Sequence, residues 1–132
     1  MLFWIFCVLL LTFVQALIPG VYLSQQVGKE VQQGPRDELP PPSIPLKRSQ
    51  AALRNLHETL PILLTLAVLS IVFAEQGIVS QLGAALFLFG RIAHVVCYIR
   101  GLSPWRSIAF SVAFFGLVLL AIPLVPHMWS AP

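Results

Sequence analysis

A single helix that begins charged and ends in hydrocarbon constrains this chain more than any other feature. Arg48 to Pro61 reads RSQAALRNLHETLP and passes without a break into the apolar run ILLTLAVLSIVF. A helix crossing that boundary carries Arg54, Asn55, Glu58 and Pro61 from the membrane surface into the bilayer. Arg54 and Glu58 are four apart and Asn55 and Glu58 three apart, so the spacing predicts that all three side chains share one helix face. A carboxylate at that depth costs about 3 kcal/mol or more unless it is paired or faces water. Glu58 therefore calls for a partner elsewhere in the chain.

The rest of the sequence fits a membrane setting. Of 132 residues, 58% are hydrophobic and 10% charged, which is too apolar for a soluble domain of this size. Segments of about 20 apolar residues are needed to cross a bilayer. The pattern predicts four spans, at about 1–27, 51–74, 78–100 and 104–126, with a polar connection at about 28–50. The fold class is all-α, an integral membrane four-helix bundle in one domain, with the lipid bilayer as its first partner. The net charge of +3 is dispersed over loop and helix ends. Nucleic-acid binding needs a clustered basic face, so that class is excluded.

The opening run MLFWIFCVLLLTFVQALIPGVYL has no basic residue ahead of it and reads as a retained first span, with Trp4 and Tyr22 as interfacial aromatics. Pro40, Pro41 and Pro42, with Pro45 after them, predict extended, non-helical chain. Gly34-Pro35-Arg36-Asp37 is a turn presenting one arginine. Pro61 predicts a kink beside Glu58. The short link Ala74-Glu75-Gln76-Gly77 makes the second and third spans antiparallel neighbours.

The third span holds Arg91, His94 and Tyr98 at i, i+3 and i+7, a stripe of guanidinium, imidazole and phenol. Antiparallel packing places this stripe at the depth of Arg54, Asn55 and Glu58, so the partner of Glu58 is expected to be Arg91, His94 or Arg54. The fourth span opens PWRSIAF, with Pro104 at its start and Arg106 and Ser107 in its first turn. Basic residues crowd the first connection and flank the third, while the second carries only Glu75. The positive-inside rule then puts the long polar loop in the cytoplasm and both termini outside.

Arg54, Asn55, Glu58, Arg91, His94, Tyr98, Arg106 and Ser107 thus gather at one depth. Three arginines around one carboxylate leave a net positive pocket that attracts an anion. Arginines clamp carboxylates and a lone glutamate holds an ammonium, so a ligand with two carboxylates and one amine suits the pattern. An arginine at a helix start also stabilises a thiolate. Taken singly, Arg54 and Arg106 read as snorkelling residues and His94 as a packing residue. His94 with Cys97 offers too few ligands for a metal, so no metal is expected. Two rival readings share the cluster: a non-catalytic membrane protein whose polar residues lock the helices, and a small proton-coupled transporter using Glu58.

At these residues the chain resembles the MAPEG family, the membrane-associated proteins of eicosanoid and glutathione metabolism. The matching pieces are Ala52 with Arg54-Asn55, Glu58 and Pro61, then Gly90-Arg91-Ile92-Ala93-His94 with Tyr98, then Pro104, Arg106 and Ser107. Gly34-Pro35-Arg36-Asp37-Glu38-Leu39-Pro40 resembles bacterial members. The resemblance implies a homotrimer in the bacterial inner membrane that binds glutathione between subunits and acts as a transferase or peroxidase on lipophilic electrophiles. It assigns Arg106 and Ser107 to catalysis, and Arg54, Asn55, Glu58, Arg91, His94 and Tyr98 to glutathione binding. The chain departs from the family pattern at Ala51, where an arginine is common, and in having no basic residue before Lys29.

Overall fold

A computed structural model describes residues 1–130. Four of its helices are long and apolar enough to cross a membrane, and no strand occurs among the described residues. The chain is therefore an all-α, four-helix membrane bundle. Helix α1 runs from Leu2 to Val27 and ends at Gly28, whose φ of 89° few other residues adopt. A short helix α2, Lys29–Gln33, follows. The chain then extends through the proline run, where the Gln26 side chain holds it. Its Nε2 donates to the Pro41 carbonyl at 2.8 Å, and its Oε1 accepts from the Ser43 N–H at 2.9 Å.

Helix α3 spans Ile44–Val72, longer at its start than the sequence suggested. Ser43 caps it, its side chain accepting from the Leu46 N–H, and Pro45 lies in the first turn. The expectation that Pro45 stays extended is corrected here. A first-turn residue has no intrahelical N–H bond to lose, so proline costs nothing there. The helix also runs unbroken through Pro61. A tight turn with Ala74 at φ 57° leads to α4, Ile78–Arg100. Gly101, at φ 68°, ends α4, and the Leu102 N–H returns to the Cys97 carbonyl at 2.8 Å. Helix α5, Trp105–Ala121, tightens into a 3₁₀ helix over Ile122–Met128, where Pro123 and Pro126 remove α-helical donors.

Helices α4 and α5 pack along most of their length. Small residues make this possible. A Cβ on Gly83 would meet the Gly116 carbonyl oxygen at 2.6 Å, and one on Gly90 would meet the Ala113 nitrogen at 2.7 Å. The core beside this seam is built from Val8, Leu56, Leu63, Phe87 and Leu120. Large apolar side chains such as Phe13, Val72 and Ile78 point outward, as lipid contact requires. Trp4 does not stand alone as an interfacial aromatic. Its indole donates to Gln81 at 2.6 Å and ties α1 to α4.

Candidate functional site

The antiparallel pairing of α3 and α4 brings Asn55 to Arg91, whose Nη1 donates to the Asn55 Oδ1 at 2.7 Å. Arg91 is 1% exposed, and its Nε and Nη2 find no hydrogen-bond partner in the protomer. One turn further along α4, the buried His94 ring meets Tyr98 edge-on, with centroids 5.5 Å apart. From the first turn of α5, the Arg106 guanidinium lies 4.6 Å above the Tyr98 ring, a cation–π contact that orients it.

Asn55, His94, Tyr98, Arg106 and Ser107 line one concavity of about 310 Å³ together with Phe110 and Ser111. Five of the eight residues expected from the sequence thus meet in one place, and Arg91 stands behind them holding Asn55. Arg54 and Glu58 do not join them. Both are exposed on the protomer, and Arg54 lines a separate cleft of about 1070 Å³ with Lys29 and Arg36, between α1, α2 and the start of α3. The single shared face expected for Arg54, Asn55 and Glu58 is corrected accordingly. Arg54 and Asn55 are adjacent on a helix, about 100° apart, and packing turns them into different clefts.

The expected ion pair of Glu58 with Arg91, His94 or Arg54 is also not formed. Among the described residues, the one ion pair joins Glu75 and His127. Asn55, shorter and directed at α4, takes the place beside Arg91. No carboxylate lines the concavity, whose charged side chain is Arg106.

A family model of the MAPEG family matches residues 1–125. The chain belongs to the MAPEG family. No curated protein matches it. Within this MAPEG chain, five of the residues that carried the resemblance, Asn55 on α3, His94 and Tyr98 on α4, and Arg106 and Ser107 on α5, line one cavity. Sequence reading missed Phe110 and Ser111, although they lie three and four residues after Ser107 and so share its helix face. It missed Gln15 as well, which is 1% exposed in α1 with neither amide atom hydrogen-bonded. A lone glutamine in an apolar run gives no periodic signal of which way it faces.

Proposed function

We propose that this MAPEG protein is a membrane-bound, glutathione-dependent transferase or peroxidase acting on lipophilic electrophiles or hydroperoxides. The observation that carries this reading is Arg106, fixed over Tyr98 next to Ser107 in a concavity with no carboxylate. A guanidinium so placed stabilises a thiolate, and the Ser107 hydroxyl donates a hydrogen bond to it. The residues present suit glutathione. Asn55, Tyr98 and Arg54 supply donors for its carboxylates, His94 and Arg91 hold the wall, and the carboxylate of Glu58 takes its ammonium. In conjugation, the thiolate sulfur bonds to an electrophilic carbon and the leaving group departs with the bonding pair. In peroxide reduction, two glutathione thiols become a disulfide while the hydroperoxide becomes an alcohol and water.

The reading includes a homotrimer. Arg54 with Lys29 and Arg36 faces one cleft, and Arg106 with Ser107 faces another. A second copy that sets one cleft against the other completes a ligand site and covers Glu58, which forms no ion pair among the described residues. It also includes an orientation in a bacterial inner membrane with both termini outside, because Lys29, Arg36, Lys47, Arg48 and Arg100 all lie at one end of the bundle.

Glutathione binding to detergent-purified protein, followed by calorimetry and by thiolate absorbance, tests the assignment. Saturable binding with a thiolate signal that disappears in Arg106→Ala supports it; equal signals in both proteins overturn the role of Arg106. The unpaired Glu58 favours one second reading, proton-coupled transport. Proton-driven uptake into proteoliposomes, abolished by Glu58→Gln, would put that reading first.

A further inference from the structure

A second, smaller concavity of about 210 Å³ lies between the end of α4 and the start of α5, lined by Arg48, Tyr98, Gly101, Leu102, Ser103 and Arg106. Arg48 reaches it from the second turn of α3. Its Nη1 donates to the Ile99 carbonyl at 3.3 Å, one of the free acceptors at the C-terminus of α4. Gly101 makes the approach possible. A Cβ at that position would stand 2.8 Å from the Arg48 guanidinium, so the absence of a side chain seats the cation as well as permitting the left-handed turn.

The capping bond uses one of five guanidinium donors. Arg106 brings a second guanidinium from another helix, Tyr98 and Ser103 add hydroxyl-bearing side chains, and no carboxylate lines the space. No described carboxylate lies within ion-pair distance of Arg48 or Arg106. Two guanidinium groups brought to one concavity from different helices, each without a described carboxylate partner and with Tyr98 and Ser103 in the same lining, suit an anion with oxygens in several directions.

We propose that Arg48 and Arg106 form a phosphate-class anion site between α4 and α5 at the basic end of the bundle. Its ligand is either a phospholipid headgroup or a free phosphate, which share this chemistry. Tyr98 and Arg106 line both concavities, whereas Arg48, Gly101 and Ser103 line this one alone, so the site shares Arg106 with the thiol reading and is told apart from it through Arg48 and Ser103.

The test uses the full-length protein in neutral detergent, titrated with inorganic phosphate by calorimetry and, separately, with phosphatidylglycerol by native mass spectrometry. Two variants remove the site in different ways. Arg48→Gln keeps an N–H for the Ile99 carbonyl but loses the charge, and Ser103→Glu keeps Arg48 and places a competing carboxylate beside it. His127→Ala is the control, since it lies at the opposite end of the bundle. The expected result is binding about tenfold weaker in both variants and unchanged in the control. Phosphate binding that shows this pattern identifies a free anion as ligand; the pattern with phosphatidylglycerol alone identifies a lipid headgroup. No saturable binding of either probe to the wild type, or equal binding by wild type, Arg48→Gln and Ser103→Glu, overturns the proposal.

Discussion

Glu75 and His127 lie 2.8 Å apart where α3 turns into α4, while at the opposite end Arg48, Arg54, Arg91 and Arg106 have no described carboxylate within pairing distance. The first end is closed on itself. The His127 ring rests 4.8 Å from Phe73, Trp4 donates to Gln81, and Gln81 donates to the Gln76 carbonyl. All eight Lys and Arg residues belong to the other half of the bundle, and there buried donors such as the Arg91 Nε remain unmatched. At the closed end the charged pair is matched, and the buried groups without a described partner outside the basic half are neutral, the Ser80 hydroxyl and the Gln15 amide. An excess of unsatisfied charge on one side marks the part of the molecule that something else must complete.

The largest contrast should come from removing one residue at each end. Arg106→Ala is expected to abolish the thiolate absorbance and lower conjugation of 1-chloro-2,4-dinitrobenzene by about 10²–10³-fold. His127→Ala should leave both readings within about twofold. Comparable losses in the two variants would erase the distinction between the ends. A smaller contrast concerns stability. Asn55→Leu strips the last partner from buried Arg91 and should cost about 3 kcal/mol in mixed-detergent unfolding. Glu75→Gln breaks a pair whose side chains are 37% and 29% exposed, so its cost should stay below about 1 kcal/mol.

Smaller again are the effects on the scaffold that joins the ends. Gly83→Ala pushes a methyl against the α5 backbone and should cost about 1–3 kcal/mol. Gly77→Ala, with open space around it and φ −70°, should change stability by less than about 0.5 kcal/mol in the same assay. A change between these two is expected for Gln26→Ala. Loss of its two contacts to the proline strap should cost about 1 kcal/mol and speed limited proteolysis between Gly34 and Ser43.

Much of this was legible in the residues. The brief link at Ala74–Gly77 dictated antiparallel α3 and α4, and with it the meeting of Asn55 and Arg91 across the core. The spacing of Arg91, His94 and Tyr98 gave the stripe, and Pro104 marked the start of α5. That Arg54 and Glu58 lie apart from the concavity of Asn55 in the protomer was not legible, because a three- or four-residue spacing says that side chains are neighbours, not which neighbouring helix they face. That choice is made by bulk: buried Ala52 and Leu56 turn one side of α3 into the core, and Asn55 follows them only at its edge. The role of Arg48 was invisible for a different reason. It depends on a glycine 53 residues away in the chain, whose missing side chain matters only once two helix ends have met.

The seam between α4 and α5 also determines which parts of the site are free to move. Backbone rests on backbone at Gly83, Gly90 and Gly116, so these two helices act as a single rigid blade carrying His94, Tyr98, Arg106 and Ser107 in fixed relation. Asn55 belongs to a different helix, linked to that blade at this level by the one bond to Arg91. Breathing of the bundle would therefore widen the cavity along the side of Asn55 alone, with the Asn55–Arg91 bond as its latch, while the cationic wall keeps its shape.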